Sequence, residues 1–121
     1  MLRLVPVSLF FGMTGCATLP PDVVTVRGLF TDGREKQAFA PCGSKEVWWA
    51  TGEEFYTQIG LTIPENRTRS AGSRWIEVRG RLRKGGGYGH LGHYDAELEV
   101  THVIASYTPD RKPDGFCEED R

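Results

Sequence analysis

The chain has 121 residues, 39% of them hydrophobic and 26% charged, and a formal net charge of −1 at pH 7. That length holds one small domain and leaves no room for a second core. The near balance of charge excludes a general attraction to nucleic acid, whose protein partners carry a basic excess or a basic stripe.

Residues 1–15 open the chain with a single Arg3 and the uncharged apolar stretch "LVPVSLFFGM". A helix that spans a bilayer needs about 20 apolar residues, so the layout is that of a secretory signal. Its small residue, Gly15, stands directly before a cysteine in Met13-Thr14-Gly15-Cys16. This stretch resembles a bacterial lipoprotein box, with Met13 where leucine is usual. The resemblance implies cleavage before Cys16, a diacylglycerol on its sulfur and often an acylated amine, and so a partner in the lipid bilayer. An ordinary secretion signal with a coincidental cysteine is the competing reading. Buried acyl chains contribute about 0.8 kcal/mol per methylene, and two or more make a stable anchor. Ala17 is not the aspartate that retains some lipoproteins at the inner membrane, so the resemblance implies a place on the outer membrane, facing the periplasm of a bacterial envelope. Residues 16–22, with Pro20-Pro21, read as an extended lipidated tether to a domain over 23–121.

With Cys16 assigned to lipid, Cys42 and Cys117 are an even pair in a compartment where disulfides persist, and they are expected to bond. The alternative is two free thiols for redox or metal chemistry, but the chain has no Cys-x-x-Cys.

In "VVTVRGLF", Val24, Val26, Gly28 and Phe30 share one side, the two-residue period of a strand, and Asp32-Gly33 follows as a hairpin turn signal. "EKQAFAPC" is the return strand, checked by Pro41, and "KEVWWA" a third short strand on which Trp48 and Trp49 must point to opposite faces. Over "TGEEFYTQIG", Thr51 and Glu54 have capping-box spacing, Phe55 and Ile59 lie four apart and Gly60 is a stop signal, which predicts the one helix. "WIEVRGRLRK" alternates strictly, with Ile76, Val78, Gly80 and Leu82 on one face and Trp75, Glu77, Arg79, Arg81 and Arg83 on the other. The glycine-rich "GGGYGHLGH" is expected to break this strand as a flexible connection. "YDAELEVTHVIASY" then resumes alternation through Ala96, Leu98 and Val100, and a C-terminal loop brings Cys117 back to the body.

Three strands, a helix and two more strands is the order of an OB-type barrel. The expected class is mainly β: a small five-stranded OB-type barrel with one short helix between strands 3 and 4. Gly28 and Gly80 suit the bends of so small a barrel. Val26-Arg27-Gly28, "FAPC" at 39–42 before the tryptophans, "WIEVRGRL" and the terminal cysteine make residues 24–117 similar to the OB-fold domain of NlpE-like envelope lipoproteins. The chain lacks the Cys-x-x-Cys-bearing domain of that family, so no stress-sensing role is implied.

Gly87-Tyr88-Gly89-His90-Leu91-Gly92 matches G-x-G-x-x-G, but a strand rather than a helix follows it, which argues against dinucleotide binding. His90, His93 and Asp95, with His102 on the adjoining strand, are the metal candidates; exposed loop histidines are the plainer reading. Arg74, Arg79, Arg81, Arg83 and Lys84 form a basic stripe interrupted by Glu77, read as the solvated face of a strand. No serine, histidine and acid stand out as a catalytic set, and no cofactor is implied. The leading expectation is therefore a non-enzymatic, membrane-anchored envelope lipoprotein that binds a protein or a glycan, not nucleic acid, through one barrel face. Trp75, Tyr88, Tyr94 and the exposed member of Trp48 and Trp49 are its candidate contacts, because aromatic groups combine large apolar area with few rotors. The alternative is a zinc- or copper-binding envelope lipoprotein that uses the 90–95 loop.

Overall fold

The computed structural model describes residues 22–33, 35–52, 55–60 and 72–118, and of residue 57 the backbone alone. The signal and tether residues 1–21, Cys16 among them, lie outside these, as do Glu53 and Glu54 of the expected capping box.

Five strands make the body: β1 (Val23–Gly33), β2 (Lys36–Pro41), β3 (Trp48–Thr51), β4 (Gly72–Tyr88) and β5 (Tyr94–Tyr107). They pair in the order β1-β2-β3-β5-β4 and close into a barrel through β4 on β1. All neighbours are antiparallel except β3 and β5, which run parallel with Trp48 opposite Ala96 and Thr51 opposite Glu99. Closure leaves β1 and β4 paired on both sides, so this small sheet escapes most of the exposed edge that an open one would carry.

Alternation places the inward residues. Phe30, Phe39, Trp48, Ala50, Ile76, Val78, Ala96, Leu98 and Val100 are buried in a single cluster. Where strands crowd, the inward positions are glycine: a Cβ on Gly80 would lie 2.3 Å from the Glu99 carbonyl oxygen, and one on Gly28 would lie 2.3 Å from that of Ala40. At Gly80 the β4–β5 register also shifts, as expected for a bend.

Three expectations about the elements change. The first hairpin turns later than Asp32-Gly33, because Asp32 pairs with Gln37 and Gly33 with Lys36, and Glu35 sits beyond the last pair at φ 55°. The helix read over residues 51–60 is a single four-residue turn, α1 (Phe55–Gln58). One turn is enough to put Phe55 and Ile59 into the core, with the Phe55 ring 4.9 Å edge-on to Phe30, and Gly60 at φ 92° ends it. Finally, the glycine run does not break β4. The strand continues through Gly85–Gly87 to Tyr88, which pairs with Tyr94 across a 3-10 turn at His90–Gly92, so that β4 and β5 extend together as an arm. The register shifts between Lys84 and Tyr88 and Gly85 takes φ 91°, so the glycines form an irregularity within the strand rather than its end.

After β5, a 3-10 turn at Pro109–Arg111 leads to a C-terminal segment bound to the body by the Cys42–Cys117 disulfide. Phe116 of this segment is buried, and its ring lies 5.9 Å from that of Trp75 and 5.8 Å from that of Tyr107. Arg27 reaches over the same ring, 5.3 Å from its centre, and donates from Nη1 to the Phe116 carbonyl at 3.2 Å. Among the described residues no helix is long and apolar enough to cross a membrane.

Candidate functional site

Adjacent tryptophans on β3 take opposite fates because strand side chains alternate. Trp48 points into the core, and its indole Nε1 donates to Glu46 Oε1 at 2.7 Å. That bond, helped by the Lys84 ammonium 3.5 Å away, holds the Glu46 carboxyl below the usual carboxylate range. Trp49 points outward. Opposite it on β2 stands the small Ala38, which leaves the indole uncovered from that side.

The β4–β5 arm comes down on Trp49. Gly89 lies so close that a Cβ there would sit 2.4 Å from the indole, and Tyr94 meets the ring edge-on with centres 5.1 Å apart. At the arm's tip His90 Nε2 is 3.4 Å from Glu35 Oε1 of the β1–β2 turn. At its base Lys84 holds Glu46 and stands 5.9 Å from the Trp48 ring centre. Tyr88 donates its hydroxyl to the Lys84 carbonyl at 3.1 Å and so braces the arm internally. The result is a half-buried aromatic pair, Trp49 and Tyr94, framed by two hairpin tips. Such a surface presents flat apolar area next to charged and hydrogen-bonding groups, the combination that recognises a side chain or the apolar face of a sugar ring.

Of the expected contact residues, Trp49, Tyr88 and Tyr94 gather here, Trp48 belongs to the core, and Trp75 belongs to a second surface beside the disulfide. The expected metal residues do not gather. His90 faces Glu35, His93 and Asp95 are exposed, and the His102 ring nitrogen lies 3.3 Å from Thr101 Oγ1 on its own strand. No group of three or more His, Cys, Asp or Glu among the described residues is placed to hold a metal ion.

The basic stripe is largely matched in charge. Within it Arg83 pairs with Glu97 at 2.7 Å, Arg81 with Asp22 at 3.9 Å and Lys84 with Glu46 at 3.5 Å, and Arg74 donates to the carbonyls of Ile59 and Gly60 at 2.9 Å each; on β1 beside it Arg27 pairs with Glu77 at 3.5 Å. Exposed pairs of this kind add little stability.

At the second surface two open depressions, of about 770 and 400 Å³, meet on Pro41, Cys42 and Gly43. Arg27, Glu77 and Phe116 line the larger, and Leu29, Lys45, Trp75 and Lys112 the smaller. Lys112 Nζ stands 4.1 Å from the Trp75 ring centre, a close cation–π contact. Phe116, Lys112 and Glu35 carry no pattern that sequence reading detects; the one available signal was a phenylalanine next to a bonded cysteine.

Comparison of the chain with protein-family models, curated proteins and solved structures finds no match. The functional reading therefore rests on this geometry and on the chain's own motifs.

Proposed function

We propose that the protein is a non-enzymatic bacterial envelope lipoprotein: an OB-type barrel held on the outer membrane through acylated Cys16, which binds a protein or a glycan on the barrel face around Trp49. The strand order β1-β2-β3-β5-β4, with β3 and β5 parallel and a helical turn between β3 and β4, supports the OB reading. Met13-Thr14-Gly15-Cys16 after an apolar run supports the anchor, and the Cys42–Cys117 disulfide suits an oxidising compartment. Trp49 carries the binding reading, because an outward tryptophan with Tyr94 at its edge and charged hairpin tips around it resembles the aromatic centre of a recognition surface.

The anchor and the face are tested separately. Labelled fatty acid is expected on the wild-type chain and absent from Cys16→Ser, which is also expected to leave the membrane fraction. An unmodified, soluble wild type refutes the anchor. For the face, a photo-crosslinking amino acid at position 49 is expected to capture a discrete envelope protein or glycan in cells, whereas the same group at Arg79 is not. Equal capture at both positions refutes the face.

A further inference from the structure

Register sets the surroundings of Trp49. Across the sheet its neighbours are Ala38 on β2 and Glu97 on β5, and beyond Glu97 stands Arg83 on β4. Neighbouring strands lie about 4.8 Å apart, so the Glu97 side chain borders the indole. The apolar surface in this row is one ring wide, with a methyl group on one side and a charged pair on the other. The ring is also held in place before any ligand arrives, because Gly89 presses on it and Tyr94 meets its edge with centres 5.1 Å apart.

On each side of the ring a carboxylate is joined to a cation. Toward β5, Glu97 Oε1 accepts from Arg83 Nη1 at 2.7 Å; toward the β1–β2 turn, Glu35 Oε1 lies 3.4 Å from His90 Nε2. Arg83 and Glu35 each keep more than half of the side-chain surface exposed, so one side offers a reachable donor and the other a reachable acceptor. A charged ligand meets one group of each pair with the wrong sign and has to displace a partner already in contact. A neutral polyol does not, since a hydroxyl donates to a carboxylate and accepts from a guanidinium at the same time. The narrow apolar row also argues against a globular protein, whose stable interfaces cover about 800 Å² per partner.

We propose that the ligand of the Trp49 face is a neutral glycan: one pyranose ring stacks on the indole, and its hydroxyls bond Glu97 and Arg83 on one side and Glu35 and His90 on the other. This rests on the binding face assigned above to Trp49 and selects its ligand.

The chain's three tryptophans make the test specific. Cellotetraose, chitotetraose and maltotetraose are titrated into the isotope-labelled full-length protein in a detergent without a sugar headgroup, and the three indole N–H resonances are followed. Tetragalacturonate and tetraglucosamine are the anionic and cationic counterparts. At least one neutral saccharide is expected to move Trp49 saturably while Trp48 and Trp75 hold still, and the charged counterparts are expected to bind about tenfold more weakly. The Arg83–Glu97 pair lies at the surface, where such pairs add little stability, so Glu97→Gln tests the site in a folded protein. That variant is expected to bind the neutral saccharide about threefold more weakly and, with Arg83 uncompensated, to bind tetragalacturonate more tightly, so the preference between them narrows. The proposal is overturned if none of the three neutral saccharides gives a saturable Trp49 shift, if a charged counterpart binds as tightly, or if Glu97→Gln leaves the preference unchanged. The photo-crosslink at position 49 separates the two levels. A discrete protein captured there without a saccharide shift keeps the face and refutes the glycan, whereas equal capture at Arg79 refutes the face itself.

Discussion

Replacing both bridging cysteines, Cys42→Ser with Cys117→Ser, removes the cross-link that encloses β3, α1, β4 and β5. The bridge spans 75 residues, and the chain-entropy relation assigns a loop of that length about 4.5 kcal/mol of destabilisation of the unfolded state. A domain of this size has about 5–15 kcal/mol in all, so the double serine variant is expected to sit near the edge of stability. At about 4–8 °C per kcal/mol for a domain of up to about 100 residues, the midpoint of thermal unfolding should fall by roughly 18–36 °C. Far-UV circular dichroism follows the melt. Urea titration adds an independent readout, because an uncross-linked chain exposes more surface when unfolded and the denaturant slope should rise. Phe116→Ala in the oxidised protein separates the two contributions of the C-terminal segment, since it keeps the covalent loop and removes the packing against Trp75 and Tyr107. A double serine variant that melts within about 5 °C of wild type, with the slope unchanged, refutes the loop-closure reasoning.

Gly80→Ala pushes a methyl group to 2.3 Å from the Glu99 carbonyl oxygen and is expected to lower stability by about 2–3 kcal/mol in urea titration; an unchanged midpoint contradicts the close approach. Gly89→Ala combines a strained φ of 70° with a Cβ driven against the Trp49 ring, so the arm should lift and indole emission shift to longer wavelength, an effect that the second substitution Trp49→Phe should abolish. The Glu46 carboxyl is held below its usual range by the Trp48 indole and Lys84, so its stabilisation is present above the ordinary value of about 4.3 and is lost as pH falls through the lowered value. Glu46→Gln should therefore flatten the acid limb of the stability profile, and an acid limb identical to wild type counts against the Trp48–Glu46 bond.

Alternation made the strands legible. Val24, Val26, Gly28 and Phe30 on β1, and Ile76, Val78, Gly80 and Leu82 on β4, all lie on the core side, buried or packed against the core. Periodicity is weaker on length. The four-residue step from Phe55 to Ile59 correctly marks two core residues, yet it is satisfied by one turn as well as by three, and tertiary contacts choose the shorter form. The glycine-rich arm departs from its local signal for a related reason. Local preference points to a break, whereas the pairing of Tyr88 with Tyr94 is a non-local fact. In the functional surfaces, the sequence picks out Trp49, Tyr88 and Tyr94 by residue type but carries no sign that Gly89 would press on the indole or that His90 would meet Glu35. Phe116 is invisible within a run of proline, aspartate and glycine, because what buries it is the bridge from Cys42 to its neighbour.

The fate of the basic stripe shows how pairing decides which surface remains for recognition. Of the stripe, Arg81 and Arg83 stand opposite Glu99 and Glu97 on β5, and next to it Arg27 stands opposite Glu77 on β4, so these three cations have a carboxylate one strand away by register, whereas Arg79 stands opposite His102. Shifting β5 by one residue would turn Glu97 and Glu99 inward and bury Thr101 and His102 in place of Val100, which the core forbids. The apolar interior thus fixes the outer charge pairs as well as its own packing. With Arg81 and Arg83 spent on neighbours, the outward surface that remains for the proposed recognition is the aromatic pair beneath the arm.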